Sequence, residues 1–235
     1  MMEKTIVMSL GGSVIVPDKI DINFLIGFKK IIESFLKKDY RFVIYCGGGR
    51  IARDYQKALR SIIGNDQRAL DWIGISITHV NAFLLKYIFL KHTNIDAIFN
   101  QNDDNIIQDT NKKIKFNKKI LIAAGWKPGW STDYDAVLLA KNLKIKTIIN
   151  MSNIDYLYNK DPKKYNNAKK IKSISWKEYK KISGNKWKAG LNAPFDPIAA
   201  KEAEKSKLKV IIIGKNLRNF ENLLQSKKFE GTIIK

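Results

Sequence analysis

Apolar residues in this chain come in short unbroken blocks, separated by polar stretches in which they recur every three or four positions. An unbroken block bounded by glycine or polar turns reads as a strand buried on both faces, and the three-to-four spacing reads as a helix with one buried stripe. Strands are therefore expected over Thr5–Leu10, Phe42–Tyr45, Ile120–Ala124, Thr147–Met151, Lys209–Ile213 and Thr232–Ile234. The first helix is expected over Asp21–Lys38, where Phe24, Leu25, Phe28, Ile31, Ile32 and Phe35 share one stripe. Further helices are expected over Ile51–Ile63, Asp66–Phe89 (with a candidate break at Gly74), Tyr134–Leu143, Asp196–Lys205 and Phe220–Leu224. Pro197 stands where a helix accepts proline, in its first turn. The stretch Asp161–Lys172 is polar, basic and turn-rich.

Strands alternate with helices almost throughout, and the strands are continuous apolar runs. That combination predicts an α/β fold: a three-layer α/β/α sandwich with a mostly parallel central sheet. No repeat or linker divides the chain, so 235 residues are read as one domain. In such sheets ligands bind outside the carboxyl ends of the strands. Those ends carry Gly11-Gly12, Gly47-Gly48-Gly49, the 125–133 loop and Asn153-Ile154-Asp155.

Composition narrows the class. Hydrophobic residues make up 45% of the chain, enough for a packed core. No apolar run reaches the roughly 20 residues that span a bilayer, and the apolar N-terminus reads as a strand and a glycine turn, without the small-residue cleavage site of a leader. One cysteine, Cys46, rules out an intramolecular disulfide and suits a reducing cytoplasm. The formal net charge of +21 admits nucleic-acid binding. The lysines are spread from Lys4 to Lys235 without an RNA-binding or zinc-finger motif, which favours solvated surface charge over a nucleic-acid partner. The field still attracts nucleotide anions.

Several glycine-bearing turns lead from strands into helices. Glycine lets the backbone approach an anion, and a helix start presents free N–H groups. A set of such turns on one sheet edge points to more than one phosphate; plain strand-to-helix turns are the alternative. The chain lacks the G-x-x-x-x-G-K-[ST] phosphate loop. Gly47, Gly49 and Ala52 match G-x-G-x-x-A, but on the second strand, and Asp66 and Asp71 open or sit within a helix rather than ending a strand. A nicotinamide enzyme is disfavoured accordingly.

Taken in order, the segments SLGGSV (9–14), CGGGRIARDY (46–55), DWIGISITHVNAFLL (71–85), KPGWSTD (127–133), NIDYLYNKDPKKYNNAKKI (153–171), FDPIAAKEAE (195–204) and GTII (231–234) resemble the amino-acid-kinase family, and within it the archaeal-type UMP kinase branch. The resemblance spans about Ile6 to Ile234 and weakens between Leu90 and Lys119. It implies transfer of the γ-phosphoryl group of ATP to UMP, giving ADP and UDP in pyrimidine nucleotide biosynthesis. Mg²⁺ would arrive with ATP, and no side chain is assigned to a metal. Relatives form hexamers, so a homo-oligomer is implied. Residues 1–150 would be mainly the acceptor lobe and 151–235 mainly the ATP lobe.

Roles carry over position by position. For ATP the resemblance implies Gly11, Gly12, Ser13, Gly48, Arg53, Ser152, Asn153, Tyr158 and Asp161. For UMP it implies Gly47, Asp71 and the loop Trp126, Lys127, Pro128, Gly129, Trp130, Ser131 and Thr132. Arg53 and Asp133 are the implied catalytic residues. Each has a plainer alternative: a solvated helix arginine at Arg53, a helix-start carboxylate at Asp71, hairpin packing at Tyr158. Trp126 and Trp130 would either stack on a base or pack the loop. Lys163 and Lys164 would neutralise phosphates or stay solvated.

The sequence also departs from the family pattern. Many members carry a lysine where this chain has Ser9, a departure shared by the archaeal-type branch. Lys188, helped by Arg53, is the candidate replacement cation, ahead of Lys186 and Lys4. His79 stands where an arginine is usual and is read as a helix-surface histidine. Tyr156 replaces a glycine, and Asp135 is an additional acid without an assigned role. Isopentenyl phosphate or acetylglutamate kinases, and a catalytically silent nucleotide-binding relative, remain alternatives.

Overall fold

The structure, a computed structural model, describes residues 4–93, 118–160, 162, 164–183 and 194–235. Strand β1 (Lys4–Leu10) leads through the short helix α1 (Gly12–Ile15) into α2 (Ile22–Leu36). Strand β2 (Tyr40–Cys46) is followed by α3 (Gly49–Ile63) and the long α4 (Gln67–Ile88). Then come β3 (Ile120–Ala123), α5 (Thr132–Asn142), β4 (Thr147–Met151) and the two-residue strands β5 (Leu157–Tyr158), β6 (Lys170–Ile171) and β7 (Ser173–Ile174). The chain closes with α6 (Trp176–Ser183), α7 (Pro197–Lys205), β8 (Lys209–Ile213), α8 (Leu217–Leu224) and β9 (Thr232–Ile234). Among the described residues no helix is long and apolar enough to cross a membrane.

Seven strands form one sheet in the order β3-β2-β1-β4-β8-β9-β7. The five strands from β3 to β8 are mutually parallel, and β9 pairs antiparallel to β8. The strands look uniformly apolar in sequence, yet their side chains alternate. Met8, Leu10, Phe42, Ile44, Ile149 and Met151 face a core filled by α2, α4 and α8. Val7, Val43, Tyr45, Leu121, Ile148 and Val210 face a second core filled by α5, α6 and α7. The expected α/β/α sandwich is therefore present, with a core on each face of the sheet.

Local chemistry sets the helix starts. Asp21, Asp66, Ser131, Asp196 and Asn216 each accept the backbone N–H three residues ahead, at Phe24, Ala69, Tyr134, Ala199 and Asn219. Helix α4 runs unbroken through Gly74, against the expected break. A Cβ at Gly74 would lie 2.5 Å from Nε2 of Gln56, so the glycine makes room for the buried Gln56 of α3. The unforeseen elements are the short helix α1, the two-residue strands β5, β6 and β7, and α6, whose lysine-rich WKEYKKIS hides Trp176 and Tyr179.

Candidate active site

The parallel register brings the carboxyl ends of β3, β2, β1 and β4 side by side along one edge of the sheet. The turns after β1 and β2 interlock. The Gly47 N–H donates to the Leu10 carbonyl at 2.9 Å, and a Cβ on Gly12 would sit 2.4 Å from the Gly47 carbonyl oxygen. Gly49 has φ +65°, the left-handed region, and a Cβ there would lie 2.3 Å from the Ser13 nitrogen. These contacts require glycine: the two turns touch backbone to backbone.

A cavity of about 700 Å³ opens over these turns. Gly11, Gly12, Ser13 and Gly47–Gly49 form its floor, and Ser152, Asn153, Tyr156 and Tyr158 line another side. A second, smaller cavity of about 160 Å³ reaches toward α4, lined by Asp71, Gly74, Thr78, Gly125 and Trp130. The two share Gly48, Gly49, Arg53, Ser131 and Thr132. Arg53 is half-buried on that shared wall and donates one long bond, 3.4 Å, to the Ser13 hydroxyl. The Arg50 N–H donates to the same hydroxyl, while the Arg50 guanidinium turns outward to Asp18.

Three aspartates stand behind this wall. Asp133, in the first turn of α5, accepts from Ser9 Oγ (2.8 Å) and Asn150 Nδ2 (3.1 Å) at Oδ1, and from the Asp196 N–H (3.1 Å) at Oδ2. Burial pushes its carboxyl up to about 6, against these hydrogen bonds. Burial likewise raises Asp196 to about 6, with the bond from the Ala199 N–H opposing and the nearby Asp133 adding to the rise. Asp135 is wholly buried, and desolvation pushes it well above the usual carboxylate range. Its Oδ1 accepts the Trp126 indole N–H at 3.1 Å.

Side chains of α4 grip the loops from the other side. Asn81 donates to the Gly47 carbonyl at 2.8 Å. Thr78 Oγ1 accepts the Gly125 N–H at 3.0 Å, and His79 Nε2 lies 2.7 Å from the Gly125 carbonyl. Asp71 Oδ2 accepts the Gly129 N–H at 2.7 Å and Oδ1 accepts from Gln67, while burial raises its carboxyl. His79 is thus a half-buried loop anchor, not the surface histidine expected.

Most of the residues named from sequence converge here. Gly11, Gly12, Ser13, Gly47, Ser152, Asn153 and Tyr158 line the large cavity, Asp71 and Trp130 the small one, and Gly48, Arg53, Ser131 and Thr132 both. Asp133 lies on the large cavity's wall. Trp126, Lys127, Pro128 and Gly129 line neither; Trp126 and Trp130 meet edge to face at 5.2 Å, and the Lys127 ammonium sits over both rings. Trp126 therefore packs the loop, while Trp130 both packs it and walls the small cavity. Asp161, Lys163, Lys186 and Lys188 lie outside the described residues. Asn81, Asn150 and Asp196 were not singled out from sequence. Asn150 gave a signal, a polar residue interrupting the apolar run of β4.

The model of the amino acid kinase family matches residues 4–214. The chain belongs to the amino acid kinase family. The uridylate kinase of Thermoplasma volcanium is 35% identical over 234 residues, covering 99% of this chain and 98% of that protein. That of Thermococcus sibiricus is 35% identical over 235 residues, covering 97% and 98%. The crystal structure of uridylate kinase from Archaeoglobus fulgidus aligns with a TM-score of 0.75 at 28% identity, covering 99% of this chain and 100% of that one. Within this amino acid kinase, the strand-one position that holds a lysine in the expected family pattern is Ser9, and its hydroxyl is committed to Asp133.

Proposed function

We propose that this amino acid kinase is a UMP kinase, transferring the γ-phosphoryl group of ATP to UMP to give ADP and UDP. Two cavities meeting at one cationic wall, in a chain that aligns end to end with uridylate kinases, carry this reading. ATP occupies the large cavity, its phosphates over Gly11, Gly12, Ser13 and Gly48 and its nucleoside toward Ser152, Asn153 and Tyr158. UMP enters from the Asp71–Trp130 side, its phosphate directed at Arg53, Ser131 and Thr132. On this reading residues 1–150 form mainly the acceptor lobe and 151–235 mainly the ATP lobe.

Phosphoryl transfer needs positioning and positive charge more than covalent chemistry. A UMP phosphate oxygen attacks the γ-phosphorus, the bond to the β–γ bridging oxygen breaks, and ADP departs. No general base is required, because the attacking oxygen is already an anion. Arg53 supplies a fork of donors suited to phosphate oxygens, and the interlocked glycine turns supply backbone N–H groups. Mg²⁺ bound to the nucleotide would supply further charge neutralisation. Among the described residues no three His, Cys, Asp or Glu side chains form a metal cluster, and the Asp133 oxygens are engaged by Ser9, Asn150 and the Asp196 amide. Mg²⁺ commonly binds through substrate phosphates and water with few protein ligands, and would reach this site with ATP.

A homo-oligomer in a reducing cytoplasm belongs to the same proposal. Helix α4 exposes Trp72, Val80, Phe83 and Tyr87 along one stripe, an apolar surface suited to a second copy. The test of function is ADP release with UMP, CMP, AMP, isopentenyl phosphate and acetylglutamate. UMP is expected to stimulate most; silence with UMP and turnover with another acceptor would reassign the substrate. Tight ATP binding without turnover for any acceptor would identify a silent relative.

A further inference from the structure

The mechanism above leaves one buried acid unused. Asp135 is fully buried on the inner face of α5, in its first turn. Its Oδ1 accepts the Trp126 indole N–H, and Oδ2 has no hydrogen-bond partner among the described residues. The Tyr45 hydroxyl is likewise buried and without a partner among them. No salt bridge reaches Asp135 among the described residues. An unpaired buried carboxylate is costly, so such a site persists where the acid is neutral or where its contact has a use.

The contact leads directly to the small cavity. Trp126 meets Trp130 edge to face at 5.2 Å, and Trp130 meets Tyr134 at 4.8 Å with an interplanar angle of 82°. Trp130 is the member of this aromatic chain that lines the small cavity. The Trp126 loop is gripped twice by α4, through Gly125 and Gly129, and once from below, by Asp135.

We propose that Asp135 is a positioning residue that anchors the Trp126 indole and, through the edge-to-face contact, fixes the Trp130 ring as a specificity-determining wall of the acceptor cavity. This deepens the kinase reading and rests on it for the identity of the acceptor. Desolvation raises the Asp135 carboxyl, with the Trp126 indole bond opposing and the nearby Asp133 and Asp196 adding to the rise. Its Oδ1 is the acceptor that holds the indole N–H. Asparagine keeps an acceptor oxygen there, and leucine keeps only the branched shape.

The experiment compares Asp135→Asn, Asp135→Leu and Trp126→Phe with the wild type. It measures KM for UMP and for ATP, the near-ultraviolet circular dichroism of the tryptophans, and the melting temperature. Asp135→Leu and Trp126→Phe are expected to raise the KM for UMP about tenfold, the scale of one lost buried hydrogen bond, and to leave the KM for ATP within about twofold. Asp135→Leu should also lose the aromatic dichroism, and Asp135→Asn should restore both properties. The double variant should be no worse than either single one. Trp126→Phe, which keeps an aromatic ring at a part-buried loop position, carries the test if Asp135→Leu does not fold. Unchanged UMP KM and dichroism in the foldable variants, or parallel rises in both KM values with Asp135→Asn no better than Asp135→Leu, would overturn the proposal. If the wild type ignores UMP, the kinase reading fails separately, and the dichroism of the three variants still decides whether Asp135 holds the tryptophan pair.

Discussion

The Ser9 hydroxyl donates to Oδ1 of Asp133 across 2.8 Å, tying the end of β1 to the first turn of α5. Asn150 on β4 donates to the same oxygen, and the start of α7 donates to the other. Asp133 thus joins the ends of two strands, β1 and β4, and the starts of two helices, α5 and α7, beneath the wall shared by both cavities. Asp133→Asn cannot accept at both positions, because one oxygen becomes a donor. Turnover is expected to fall at least ~10²-fold, the scale of a lost transition-state contact, and Ser9→Ala to fall less. Steady-state ADP release checks both; wild-type rates in Asp133→Asn would show that the site is elsewhere.

Much of this was legible in the chain. The apolar blocks located β1, β2, β3, β4, β8 and β9, because strands buried on both faces leave unbroken hydrophobic runs. The 3.6-residue stripe located α2, and Asp196 followed by Pro197 located α7. Helix α6 was missed because five of its eight residues are polar or charged, with its burial resting on Trp176 and Tyr179. The turns at the site were readable because glycine marks them. The grip of Asn81 on Gly47 was not, because it joins a helix side chain to a carbonyl 34 residues away and leaves no local spacing to read. Ser9 stood out as the position where many family members carry a lysine, and Asn150 only as a polar residue in an apolar strand; neither observation names the bonding partner.

The raised carboxyls give the chain a pH signature with two opposite signs. Asp133 and Asp196 lie near 6 when folded, against an ordinary 3.8. The folded state therefore holds these protons more tightly, so their stabilising contribution is present below about pH 4 and is lost as pH rises through about 6. Activity should run the other way, since Asp133 accepts its three hydrogen bonds as a carboxylate. Turnover is expected to rise through about pH 6 while the part of the stability set by these acids falls. Melting temperatures and rates across about pH 5 to 8 measure both, and Asp133→Asn should flatten part of the stability slope.

Gly12→Ala should separate the two phosphate turns. Its Cβ would meet backbone atoms of Gly47, Gly48 and Gly49 at 2.4 to 2.5 Å, with no flexible side chain able to yield. Loss of stability of about 1–3 kcal/mol is expected, the usual cost of overpacking, together with loss of ATP affinity. Chemical denaturation and calorimetric titration check the pair. Unaltered ATP affinity would show that these turns do not hold the nucleotide.

Asn81→Leu keeps the branched side-chain shape but strands the Gly47 carbonyl. The expected cost is about 1–3 kcal/mol, that of a buried polar group left unsatisfied, with a weaker effect on the UMP KM than on stability. Denaturant unfolding measures it, and a change of a few tenths of a kcal/mol would indicate that water replaces the amide.

The account turns on two phosphorylated molecules meeting over Arg53. A bisubstrate in which a phosphate chain joins adenosine to uridine spans both cavities, so its second half binds at high effective concentration. Calorimetric titration of wild type and Arg53→Ala with this compound, ATP and UMP tests the claim most directly. The bisubstrate is expected to bind at least ~10²-fold more tightly than ATP or UMP alone and to lose most of that advantage in Arg53→Ala. An affinity no better than that of ATP, with UMP still able to bind beside the bisubstrate, would contradict it.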